Sequence, residues 1–159
     1  MANKVSNLLN GGIRLGKGIY ASSTSTTIEP GLLVAETSSG STTSGSVTVG
    51  LAASTGDVMG FAYGGRHQTY RPTSRVFAAN EELTVVQGSG LVALSSDFFT
   101  GGSFPSSLPA SLYSATNGLW SSAGTVKVGK ALLIEQATQG TGGVGAQVPY
   151  CIVQFNIQP

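Results

Sequence analysis

The chain is predicted to be all-β, a single compact β-sandwich or barrel-like domain of about ten short strands with an extended N-terminal arm. Three observations lead there. Apolar residues alternate with polar ones over short stretches, as in Val47, Val49 and Leu51 against Thr48 and Gly50, which is the period of a half-buried strand. Gly, Asn and Pro break these stretches roughly every 8 to 12 residues, the spacing of strands joined by turns. Charge is sparse, with 8 Lys and Arg, 7 Asp and Glu, and 23 Gly among 159 residues. Helices expose faces that need Glu, Lys and Arg, so a surface of hydroxyls and glycine favours strands.

Residues 1–20 carry Lys4, Arg14 and Lys17 and no acid. Leu8 and Leu9 precede the turn signal Asn10-Gly11-Gly12, and Ile13, Leu15 and Ile19 follow mostly at strand spacing. This segment reads as a terminal strand or as an arm reaching a neighbouring subunit, with the β domain proper spanning 21–159. Glu29-Pro30-Gly31 marks a turn, residues 31–35 form a short apolar strand, and residues 37–46 are a Ser/Thr/Gly loop. A strand over 57–63 places Met59, Phe61 and Tyr63 on one face and Val58, Gly60 and Ala62 on the other.

Residues 66–75 hold Arg66, His67, Tyr70, Arg71 and Arg75 with no acid. Residues 76–78 and 83–86 read as strands separated by the turn Asn80-Glu81-Glu82. Gly88-Ser89-Gly90 then leads into Leu91 and Leu94, so residues 83–94 are expected to be a tight hairpin. Residues 97–109 are irregular, and Asn117-Gly118 is the strongest hairpin signal in the chain. The C-terminal stretch is the most apolar. Ala131 to Ile134 is a continuous apolar run expected to be buried on both faces. Val148, Tyr150 and Ile152 alternate with Cys151, Val153, Phe155 and Ile157. Two such strands joined by a Gly/Thr-rich loop form a long hairpin suited to the middle of a sheet.

Few residues here can exchange protons or attack a substrate. The single cysteine, Cys151, sits in an apolar strand and the single histidine, His67, in an Arg-rich loop, so no Cys–His pair is expected. Gly88-Ser89-Gly90 is not a G-x-S-x-G elbow, and Asp57 and Asp97 are isolated. Residues 16–21 match G-x-G-x-x-A, but a Ser/Thr run follows where a dinucleotide site needs a helix. The Gly-rich 140–145 loop lacks the Lys-Ser/Thr of a phosphate-binding loop. No catalytic, cofactor or metal residues are assigned and the chain is expected not to be an enzyme. A net charge of +1 provides no field toward nucleic acid or membrane. The apolar stretch at the N-terminus is too short for a signal peptide.

The candidate contact residues are therefore the basic ones: Lys4, Arg14, Lys17, Arg66, His67, Tyr70, Arg71 and Arg75. Guanidinium groups suit planar, charge-assisted contacts to carboxylates or phosphates, with Tyr70 as an apolar anchor. The plainer alternative for 66–75 is a solvated loop. A weakly charged surface also favours association, so a homo-oligomer or lattice component is expected. A second reading is a carbohydrate- or receptor-binding β module of a fibre or tail, with Tyr63, Tyr70 and Trp120 as stacking faces.

The order of motifs in the second half resembles that of tailed-phage capsid cement proteins, the head decoration family. The resemblance lies in Leu112-Tyr113, the Asn117-Gly118 turn, Val128-Gly129-Lys130-Ala131-Leu132, and a closing strand from Val148 to Phe155. Residues 57–65 and 82–94 are similar to the family's earlier strands. The first 45 residues and the 66–75 loop have no counterpart. The resemblance implies a non-enzymatic shell protein on the outer surface of the virion capsid, made in the host cytoplasm. Its partner would be the major capsid protein, and it would be a homo-oligomer, a trimer rather than a dimer. It would bind the expanded head between capsomers and stabilise it, without nucleic acid or membrane.

Overall fold

A computed structural model describes residues 6–9, 18–24, 27–37, 47–63, 76–138 and 147–158. It is almost entirely β, as expected, and its strands form two layers. One is a closed barrel of β2 (Gly18–Ser23), β3 (Leu33–Glu36), β4 (Val47–Leu51), β5 (Gly60–Tyr63) and β6 (Glu82–Val86), in the order β2-β4-β3-β5-β6. The other is a six-stranded sheet of β1 (Ser6–Leu9), β7 (Gly88–Leu94), β8 (Ala110–Ser114), β9 (Trp120–Ser121), β10 (Lys127–Thr138) and β11 (Gln147–Ile157), in the order β1-β7-β11-β10-β8-β9. All pairs are antiparallel except β2 with β4, which run parallel from Ala21↔Val47 to Ser23↔Val49.

Strand alternation builds two cores. Ala21, Val34, Val49, Ala62, Leu83 and Val85 come from the five barrel strands and meet in one buried cluster with Ile28, Met59 and Phe77. The opposite faces of β3 and β5 supply Leu33 and Phe61 to a second cluster, shared with Leu112, Val153, Phe155 and Trp120 of the open sheet. Each buried aromatic stabilises the fold by ~1.5–3 kcal/mol. Phe61, Phe98, Phe99, Phe155 and Trp120 lie in the shared core, whereas the barrel interior holds Phe77. The junction between the layers thus buries most of the aromatic surface.

Trp120 fixes this junction. It is fully buried, its Nε1 donates to the Gly31 carbonyl at 2.9 Å, and its ring lies 6.2 Å from that of Phe61. Phe61 in turn meets Phe155 edge-on at 5.0 Å, an arrangement that adds to simple area burial. The Asn117-Gly118 turn connects β8 to β9 as predicted, with φ of 61° and 70°. Gly118 donates its N–H to Ala52 at 2.9 Å, and a Cβ there would overlap the Leu33 carbonyl oxygen. Only glycine lets this turn seat on the barrel wall.

Four expectations require correction. The strand predicted over 57–63 begins at Gly60, and Met59 joins Ala62 in the barrel core while Val58 joins Phe61 in the shared core, because the chain ahead of Gly60 does not keep the strand's alternation. Residues 83–94 are not a hairpin: β6 pairs with β2 and β5, and β7 with β1 and β11. One residue, Gln87, separates them, and Gly88 at φ 84° redirects the chain from one layer to the other. Residues 76–78 form no strand; Phe77 plugs the barrel core while its N–H donates to Ile28 at 2.9 Å. The apolar run 131–134 is not buried throughout. Ala131 is buried, but Leu133 and Ile134 are 43% and 42% exposed, because a bulge between Ala131 and Leu133 resets the register and β8 ends its pairing at Ala131.

Candidate functional site

The central pair of the open sheet is the C-terminal hairpin, β10 with β11. On β11, Cys151, Val153, Phe155 and Ile157 are buried, while Gln154 and Asn156 are exposed, the alternation expected of these residues. The hairpin is longer than its neighbours. β8 pairs with β10 only from Lys127 to Ala131, and β7 pairs with β11 only from Cys151 to Ile157. Past Ala131 β10 has only β11 beside it among the described residues, and from Glu135↔Tyr150 to Thr138↔Gln147 the two strands continue as a ribbon. Leu133, Glu135, Ile152 and Tyr150 occupy one face by alternation. The Tyr150 hydroxyl donates to Glu135 Oε2 at 2.8 Å, tying the one acid of this ribbon across the strands.

Every candidate contact residue lies outside the described residues: Lys4, Arg14, Lys17, Arg66, His67, Tyr70, Arg71 and Arg75. The residues that bracket them are placed. Gly18, after Lys17, opens β2 opposite Val86, and Ser6, after Lys4, opens β1 opposite Leu94. The 66–75 segment departs from Tyr63, opposite Thr84, and returns at Val76, an exposed apolar residue beside Phe77. Asn80 donates its N–H to Ser23 at 2.7 Å, and the Ser23 N–H donates to Glu81 at 2.9 Å. These bonds fix that end of the barrel. Burial raises the Tyr63 phenol above its ordinary pKa of 10.0, so it stays a neutral hydroxyl beside the segment.

Trp120 is excluded as a sugar-stacking face, since its ring is wholly buried. Cys151 is also fully buried, and desolvation pushes its thiol up to about 11, against a smaller lowering by the Leu132 backbone. A thiol kept protonated in this way is a core side chain rather than a nucleophile. No group of three His, Cys, Asp or Glu side chains that could hold a metal occurs among the described residues. Gly18–Ser23 is a strand, so the 16–21 glycine pattern opens no helix of the kind that holds a pyrophosphate. None of the helices among the described residues is long and apolar enough to cross a membrane.

The ribbon is the surface feature that sequence reading missed. Its signal was present: Glu135 and Gln136 directly follow the apolar run, and polar residues there disagree with burial on both faces. What no local pattern reports is that β8 spans 5 residues beside the 12 of β10. Comparison with known proteins finds no match to the chain among family models, curated proteins or solved structures.

Proposed function

We propose that this protein is a structural cement or decoration protein of a phage capsid, binding the outer surface of the expanded head between capsomers as a homo-oligomer. The observation that carries the reading is the order of motifs in the second half. Leu112-Tyr113 lies on β8, Asn117-Gly118 forms the turn to β9, residues 128–132 lie on β10, and Val148 to Phe155 lie on β11. These segments are neighbours in one sheet, so the residues that carry the resemblance belong to one structural unit.

Two physical points support the same reading. A body with two packed cores and a surface poor in charge is suited to sit passively against neighbours. A ligand that binds only the expanded lattice stabilises it by mass action, and repetition over many sites makes weak contacts effective. The 66–75 segment, bracketed by Tyr63 and Val76, is the leading contact to an acidic shell surface.

Purified protein is expected to co-sediment with expanded phage heads and to raise their melting temperature. Changing Arg66, Arg71 and Arg75 together to Ala is expected to weaken shell binding at least tenfold, since two or three charge-assisted bonds of about 1.5–3 kcal/mol each are lost, without changing the protein's own melting temperature. Absence of any shell binding by the wild-type chain would defeat the reading. Unchanged occupancy of the triple variant would remove 66–75 from the interface.

A further inference from the structure

Among the described residues, the distal half of β10 has an unpaired edge. Ala131 is the last residue of β10 to pair with β8, opposite Ala110. From there to Thr138 the strand has β11 as its only partner among the described residues. Such an edge presents a row of backbone N–H and C=O groups that another strand can complete. Several other edges are protected. The barrel is closed, and β9 at one border of the sheet has two residues. On β11, Pro149 stands opposite Gln136 and has no N–H to offer a further strand. β10 has no such guard over the same span.

At the start of this edge, apolar side chains are exposed on both faces. Leu133 and Ile134 are consecutive, so they point to opposite faces, and both are exposed by more than two fifths. Glu135 is the sole charge from 132 to 138, and its carboxylate already accepts the Tyr150 hydroxyl. A lysine at such a position would oppose pairing, and none is present.

We propose that the β10 edge from Leu132 to Thr138 is a self-association surface, where a second copy of this chain pairs its own β10 antiparallel across a two-fold axis. The occupant follows from symmetry and charge. An antiparallel edge is complementary to itself when rotated about a two-fold, so one surface serves both copies. A net charge of +1 per chain gives little repulsion between them. Pairing would join the two open sheets into one and cover Leu133 and Ile134 from each copy. The unit is then a dimer, in place of the trimer that the family resemblance implies, and the inference does not rest on shell binding.

Light scattering of the full chain on a sizing column is expected to give twice the chain mass. Leu133→Lys with Ile134→Lys is expected to halve it while the circular dichroism spectrum of the folded chain is kept, since both positions are exposed. A second measurement avoids reliance on that variant. Glu135→Cys, near the middle of the edge, should cross-link to a dimer under mild oxidation, whereas Asn156→Cys, exposed on β11 away from the ribbon, should not. A wild-type monomer, a dimer that survives the double lysine change, or equal cross-linking at 135 and 156 each overturns the proposal. A wild-type monomer that still binds expanded heads would overturn this inference and leave the shell reading standing.

Discussion

The two layers solve the same edge problem in opposite ways. The barrel closes on itself through β2 and β6, and its five strands contain at most six residues each. The sheet stays open, and its central hairpin outruns the strands beside it. Closure leaves the barrel no edge strand, and its interior is filled by small and medium side chains with Phe77 as the one large ring among the described residues. Openness leaves the sheet dependent on the barrel wall for one face and on nothing described for the end of its hairpin. The lesson is that burial along β10 is a matter of neighbours: Ala131 is fully buried and Leu133, two residues on, is 43% exposed.

The largest test of this contrast removes the junction. Phe155→Ala deletes a fully buried ring that meets Phe61 of the barrel, and a loss of about 3–5 kcal/mol is expected in chemical denaturation. If the layers depend on each other, amide exchange should accelerate in β3 and β5 as well as in the sheet. Acceleration confined to the sheet would mean that the barrel stands by itself.

A smaller effect is expected at the turn that docks on the barrel. Gly118→Ala puts a Cβ against the Leu33 carbonyl at φ 70°, and a cost of about 1–3 kcal/mol is expected from strain alone. The same change at Gly101, at φ 75° with nothing within 4 Å, should cost less. Equal losses would show that backbone strain, and not the seat on the barrel, decides the penalty.

The smallest effect concerns Cys151 at the base of the ribbon. Its folded-state thiol is raised from 9.0 to about 11, so the unfolded chain releases its proton first as pH rises. The contribution is complete below pH 9 and is lost as pH climbs toward about 11. Denaturation midpoints should therefore fall across that window, and Cys151→Ala should lessen the fall. A thiol reagent at pH 8 should react only as the chain unfolds; rapid reaction in the native state would contradict burial at this position.

Much of the fold was legible from the residues. Alternation at 47–51 and 151–157 placed those strands and their buried faces, and Asn117-Gly118 marked its turn through the positive φ that these residue types tolerate. Turn chemistry and period-two burial are local, so they can be read locally. The 83–94 stretch looked like a hairpin because two apolar runs flank a Gly-rich break; only the choice of partners shows that Gly88 is a crossing between layers. Phe77 carried no pattern at all, since a residue that plugs a barrel from a loop answers to a cavity made by five other segments.

For the candidate site the division is the same. Composition and apolar alternation by themselves determined an all-β chain with little charge and a C-terminal hairpin at the centre of its sheet. The tertiary structure decided that Trp120 is a buried strut, that Cys151 is sealed, and that the hairpin ends in an uncovered ribbon. Exposure depends on how far neighbouring strands reach. Strand lengths 15 or more residues apart in sequence are not written into any window around Leu133 and Ile134.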